Sequence, residues 1–331
     1  MLDGFKCDLS IVIPVYNGQD TIIRCLESVF SINWGTRSFE VIVVDDCSED
    51  KTWEILNNQV SLHSNLVIIH LPVNSKPGTA RNRGIERAHG QYIMFLDADD
   101  VIEPAIVSVL DYSLDSGIDM CHFHMIAEYA IPEQVIPERV IMGGCEFADK
   151  FYDLSWDTGY FVSYLYSNRY LRKIHHPFIE GRVHEDADWC EFHLWNSLKI
   201  AYVDAIGYRN FANSTSIMHS LSPRKDADNI MMCYRRLRFT ESIENKDSQF
   251  KSSVMGHCKL WIKAVFSLRH MSRYNIKNIG NMYSHIDEEA LQYLRIIEWT
   301  GFPSICIHHA GLMRLIISIV HPIATIIRRL K

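Results

Sequence analysis

Five aspartates stand directly behind two apolar runs: Asp45 and Asp46 follow Glu40 to Val44, and Asp97, Asp99 and Asp100 follow Tyr92 to Leu96. If both runs are parallel strands of one sheet, these acids gather on a single edge. There they repel one another unless a cation or hydrogen-bond donors sit among them. A hard divalent ion meets that demand, since Mg²⁺ and Mn²⁺ prefer carboxylate oxygen and complete their shell with substrate phosphates. Asp45, Asp50 and Asp100 fit equally well as caps of helices or turns. Asp97 and Asp99, delivered together by one apolar strand, fit the cation better. A second acid pair, Glu185-Asp186, opens a helical pattern far downstream and has two readings: a base for proton abstraction, or charge complementing a helix N-terminus.

The elements that must position these acids alternate. Strand patterns at 9–15, 40–44, 66–71 and 92–96 are interleaved with helical patterns at 20–30, 50–59 and 77–88. That order predicts βαβ units and a mostly parallel central sheet with helices on both faces. The strands are continuous apolar runs, as strands covered on both faces are. In the third helix Ala80, Gly84, Ile85 and Ala88 share one face, and Arg81, Asn82 and Arg83 are expected to turn away from it. A helix at 104–115 and a strand at 118–124 follow, then a loop or hairpin over 131–144, a helix from 183 to 197 and a strand at 199–203. Beyond Pro223 only helical patterns remain, so the expected organisation is an α/β domain, 1–222, and a helical C-terminal region, 223–331.

In open α/β sheets ligands bind beyond the carboxyl ends of the strands, which directs attention to Pro14-Val15-Tyr16-Asn17-Gly18, Asp45-Asp46-Cys47-Ser48 and Asp97-Ala98-Asp99-Asp100. Together with Gly78-Thr-Ala-Arg-Asn82 and His184-Glu-Asp186, these ordered motifs resemble the family 2 glycosyltransferases of GT-A fold over roughly residues 8 to 220. The resemblance implies an inverting transferase that moves a sugar from a nucleotide-sugar, UDP by preference, to a hydroxyl of a glycan or lipid-linked acceptor, as in polysaccharide biosynthesis. It implies a nucleoside pocket at Pro14 and Tyr16, a base contact at Asp46, and Arg81 near base or phosphates, where a solvated helix-surface charge is the alternative. Asp97 corresponds to the acid reaching the ribose or the metal's water shell, Asp99 to the ligand of Mn²⁺ or Mg²⁺, and Asp186 to the general base with Glu185 beside it. Trp189 could wall a sugar face. Arg209 and His219 fall where relatives have a segment closing over the diphosphate, with an ordinary surface loop as the alternative.

Composition sets the outer limits. With 331 residues, 47% of them hydrophobic, the chain can bury a large core. The nine cysteines lack a Cys-x-x-Cys pair, and the histidine pairs 122/124, 175/176 and 308/309 lack zinc-site partners. Reduced cysteines and the want of a basic-then-apolar opening predict a cytoplasmic chain without a signal peptide. The net charge of −7 is uneven: residues 221–331 hold 17 Lys and Arg against 9 Asp and Glu, or +8, leaving 16 against 31, or −15, for the rest. An acidic first part argues against nucleic acid as a partner. The tail 311–331 has only 13 residues between Arg314 and Arg328, too few to span a bilayer. It reads either as a helix packed on the protein or as one lying on an anionic membrane surface, the inner face of the cell membrane. Two rival functions are a nucleotide-sugar-binding protein without transfer activity and a haloacid dehalogenase-type phosphatase. The second leaves the Tyr16 and Asp46 motifs unexplained.

Overall fold

The computed structural model describes residues 5–127, 140–151, 160–211, 222–244, 248–266 and 276–296. Four parallel strands form the first half of a sheet: β1 (Cys7–Val15), β2 (Phe39–Asp45), β3 (Leu66–His70) and β4 (Gly90–Phe95), in the order β3-β2-β1-β4. Between them run α1 (Ile22–Phe30), α2 (Thr52–Val60) and α3 (Pro77–Arg87). In α1 the buried residues Ile22, Cys25, Leu26 and Val29 fall at helical spacing and make its core stripe. Gly84 lets α3 lie on the sheet, because a Cβ there would come within 2.2 Å of a Val12 methyl.

The second half is mixed. The described strands β5 (Val101–Ile102), β6 (Met120–Ala127), β7 (Val140–Met142), β8 (Tyr164–Ser167) and β9 (Ile200–Asn210) continue the sheet as β4-β8-β6-β9-β5, with β7 on β9. Here only β6 and β9 pair in parallel, and the other contacts are antiparallel. The expected mostly parallel character therefore holds for the first four strands. The inserted β8, whose Tyr-Leu-Tyr run is wholly buried, reverses direction beside β4. Helices α4 (Ile106–Ser116), α5 (Gly144–Phe151), α6 (Asn168–Ile174) and α7 (Glu185–Asn196) accompany this half.

Backbone contacts divide the chain into two compact units between Thr215 and Ser216. The second is helical where described: α8 (Pro223–Ser242), α9 (Gln249–Val265), α10 (Ile276–Ser284) and α11 (Glu288–Ile296). Ser222 and Ser248 cap α8 and α9 by accepting the Lys225 and Lys251 amides. No described helix is long and apolar enough to cross a membrane. The tail 311–331 and His219 lie outside the described residues.

Candidate active site

The carboxyl ends of β1, β2 and β4 form one edge. The β1–α1 loop is laced to the β2–α2 loop by Asn17 N donating to Ser48 Oγ (2.8 Å), Gly18 N to Thr52 Oγ1 (2.8 Å) and Gln19 N to Asp50 Oδ2 (3.1 Å). These bonds use Asp50 as a loop and helix-start clamp, which also holds the Thr52 amide at 2.9 Å. Tyr16 stands on the rim with 45% of its surface exposed, while Pro14 is buried in the strand below it. Asp46 accepts the Ser75 and Lys76 amides at 2.7 and 2.8 Å, one on each oxygen. Burial raises its carboxyl above the ordinary range, against the lowering effect of those amides.

Two of the five clustered acids are structural, as Asp50 is. Asp45 is fully buried and turned to His70 Nδ1 at 2.6 Å. Asp100, also buried, accepts from Tyr208 Oη (2.6 Å), Asn210 Nδ2 and the Phe211 amide (2.8 Å), so it ties the turn after β4 to β9. That leaves Asp97 and Asp99 facing the open edge, both partly exposed. Helix α1 steadies their backbone: Arg24 Nη2 donates to the Asp99 carbonyl and stacks 4.1 Å over Phe211, and Ser28 Oγ accepts the Ile102 amide. Arg24 was not visible as a site residue because its role is to hold main chain, which leaves no motif.

Arg81 is not the solvated surface charge that stood as its alternative: it and Asn82, though turned from the small-residue face, are both buried. The Arg81 guanidinium donates through Nη2 to Asp97 Oδ1 at 2.9 Å and through Nη1 to Glu185 Oε1, and lies 4.4 Å over the ring of Phe161. Burial works against its charge, yet Asp97 and Glu185 outweigh burial and hold the group above its usual value. Asn82 exchanges two 2.9 Å bonds with the backbone of Phe178, Nδ2 to its carbonyl and Oδ1 from its amide. At the start of α3, a Cβ on Gly78 would meet the Ile179 carbonyl at 2.6 Å and Glu185 Cγ at 2.8 Å. Helix α3 is thus the seat for segment 176–185, which carries the second acid pair to the edge. The small-residue face was legible in sequence; that the opposite, polar face also docks was not.

Glu185 is buried at the start of α7, and burial pushes its carboxyl up to about 7, opposed by Arg81 and reinforced by Asp186. Asp186 is partly exposed, and its charge also acts on Asp97 and Tyr160. Tyr160, 47% exposed, is therefore a rim residue that sequence did not single out. Trp189 needs correction. It is 1% exposed, stacks on Phe178 at 4.2 Å and donates its indole N–H to the His176 carbonyl, so it is core and presents no face to a sugar. Arg209 is held by Glu103 at 2.6 Å on the strand edge beside Val101.

An α/β unit with an Asp-x-Asp turn after its fourth strand and a second acid pair brought beside it has the GT-A architecture of nucleotide-sugar enzymes. Residues 10–125 match the family model described as Glycosyl transferase family 2. The chain is 26% identical over 258 residues to the uncharacterized glycosyltransferase YibD of Escherichia coli K12, covering 75% of this chain and 73% of that one. It is 40% identical over 114 residues to the poly(ribitol-phosphate) beta-glucosyltransferase of Bacillus spizizenii, 34% of this chain but 18% of that much longer protein. In fold it resembles Staphylococcus aureus TarS 1–349 in complex with UDP-GlcNAc, with a TM-score of 0.62 at 18% identity over 95% of this chain and 90% of that one. It also resembles the Pyrobaculum calidifontis mannosyltransferase PcManGT in complex with GDP-Man and Mn²⁺, with a TM-score of 0.52 at 13% identity over 98% and 88%. These likenesses support a family 2 glycosyltransferase, with the family match itself lying on residues 10–125, and the phosphatase reading falls away.

Proposed function

We propose that the chain transfers a sugar, with inversion, from a UDP-sugar to a hydroxyl of a glycan or lipid-linked acceptor, with Asp186 as general base. The observation that carries this reading is the shared guanidinium of Arg81, which brings the acid pair of α7 beside the Asp-x-Asp turn. On the donor side, Tyr16 at the rim offers a ring face for a base, and each Asp46 oxygen keeps a lone pair beyond its amide bond for a base N–H. Asp99, with Asp97 as its neighbour, offers hard oxygens on an open edge. Among the described residues no group of three or more His, Cys, Asp or Glu could hold a metal ion, so an ion at this edge would have to complete its shell with water and a diphosphate. Such a Mn²⁺ or Mg²⁺ would offset the charge growing on the departing nucleoside diphosphate.

In the transfer step the Asp186 carboxylate takes the proton of the acceptor hydroxyl as its oxygen bonds to the anomeric carbon and the bond to the diphosphate oxygen breaks. One carboxylate opposite the leaving group suffices for a single displacement, as in inverting glycosidases. Residues 1–222 supply this chemistry, and 223–331, with the basic tail 311–331, would bring it to an anionic membrane surface at the inner face of the cell membrane. The test is a panel of nucleotide-sugars assayed with Mn²⁺ for binding, donor hydrolysis and transfer. Asp186→Asn is expected to abolish transfer while nucleotide affinity stays within about threefold of the parent. Comparable turnover in that variant removes Asp186 as base, and binding of no nucleotide removes the whole reading.

A further inference from the structure

Arg81 hydrogen-bonds to both acid clusters of the site, with one bond to each. Nη2 holds Asp97 at 2.9 Å, Nη1 holds Glu185, and Nε is buried with no hydrogen-bond partner. The side chain is 6% exposed, shielded by Phe161 at 4.4 Å and Phe178 at 5.5 Å. Asp97 lies in the turn after β4; Glu185 opens α7 next to Asp186. The two carboxylates are far apart in sequence, in elements that do not pair in the sheet. We infer that Arg81 is a positioning residue, not a nucleotide contact: it sets the place of Glu185, and so of Asp186, relative to the Asp97–Asp99 turn.

Three features of the geometry support this. A guanidinium has donors fixed in a plane, so two carboxylates bound to its two Nη atoms are fixed relative to each other, which a flexible ammonium does not do. The aromatic cover keeps water from replacing either bond. Finally, α3, which carries Arg81, is docked independently to the segment leading into α7 by the paired Asn82–Phe178 bonds and by the close approach at Gly78. The helix therefore acts as a spacer between the two halves of the site. An error of about 1 Å in such a spacing costs on the order of 100-fold in rate without a comparable loss of binding.

The inference rests on the Asp186 reading for its kinetic consequence, so the experiment separates the two. Arg81→Lys, Glu185→Gln, the double variant and Asp186→Asn are compared by UDP affinity in Mn²⁺, kcat and acceptor KM for transfer, and thermal melting. Arg81→Lys keeps the charge but loses the planar fork. Expected is a fall in transfer kcat of roughly 100-fold, with UDP affinity within about threefold of the parent, for each of the Arg81 and Glu185 variants. The double variant should be no slower than the slower single, because both break one arrangement. Loss of UDP affinity in step with kcat in Arg81→Lys would make Arg81 a nucleotide contact and overturn the inference. So would unchanged kcat, or single effects that multiply in the double variant. If Arg81→Lys does not fold, Glu185→Gln decides alone: retained UDP affinity with lost kcat supports the inference, and any other pattern overturns it. Full activity in Asp186→Asn, with the Arg81 and Glu185 variants impaired, sinks the base and leaves the spacer.

Discussion

At the residue scale the site is a problem in placing like charges. Asp97, Asp99, Glu185 and Asp186 act on one another electrostatically, the Arg81 guanidinium bonds two of them, Asp97 and Glu185, and a divalent ion can balance such a cluster further. Burial raises the Asp97 carboxyl, Arg81 opposes it and Asp99 adds to it, as expected of a pocket awaiting positive charge. Asp99→Asn should therefore lower UDP affinity at least about tenfold in the presence of Mn²⁺ and have little effect when the ion is chelated. Titration calorimetry with and without a chelator reads this, and equal affinity losses in both conditions would place Asp99 elsewhere than on the ion. Asp45, Asp50 and Asp100 look the same in sequence but have their oxygens committed to His70, to the Gln19 and Thr52 amides, and to Tyr208 with Phe211.

At the element scale α3 carries the most information. One side packs on the sheet through Ala80 and Gly84, and the side turned away from it holds Arg81 and Asn82 against the 176–185 segment. An alanine at Gly78 would ordinarily favour a helix by about 1 kcal/mol. Here its Cβ would lie 2.6 Å from a backbone carbonyl and 2.8 Å from Glu185. Gly78→Ala is thus expected to lower transfer kcat roughly tenfold through misplacement of α7, with UDP affinity near that of the parent. A variant that melts higher with unchanged kcat would show that the segment yields without consequence. The edge strand β5 and the inserted β8 have a similar lesson: neither shows the alternation of a half-buried strand, and each is fixed by its neighbours, β9 for the first and β4 with β6 for the second.

At the scale of the whole molecule two properties follow from burial and charge. His193 is fully buried near His176, and burial, then the His176 charge, lowers its ring from 6.5 to about 3. The folded state thus binds this proton less readily than the unfolded chain, so the contribution is favourable above pH 6.5 and is lost as pH falls from there toward 3. Chemical denaturation should show about 1 kcal/mol of stability lost per pH unit below 6.5 from this ring. His193→Gln, whatever its stability at pH 7.5, should lose less between pH 7.5 and 5.5 than the parent; an equal loss would assign the acid sensitivity to other groups. The second property is the +8 balance of residues 221–331. Replacing Arg328 and Arg329 by Glu should reduce co-sedimentation with vesicles containing anionic lipid, with UDP affinity unchanged. Equal binding by parent and variant would remove the membrane role of the tail.

Much of the first domain was legible in the residues themselves. Continuous apolar runs separated by helical periods dictate doubly covered parallel strands, and the acids behind those runs mark the edge where phosphate chemistry belongs. Glu185-Asp186 was marked out by the family resemblance, since carboxylates at a helix start by themselves serve equally to complement the helix N-terminus. What the sequence could not convey was which contacts the polar residues make, because side-chain partners far apart in the chain leave no local period. That Arg81 and Asn82 turn from the small-residue face was readable, but not that segment 176–185 lies over them, and Trp189 read as a sugar wall until Phe178 stacked on it. The opening acids were determined locally; that Asp45, Asp50 and Asp100 are bound into the scaffold while Asp97 and Asp99 stay partly exposed at the edge was decided by packing alone.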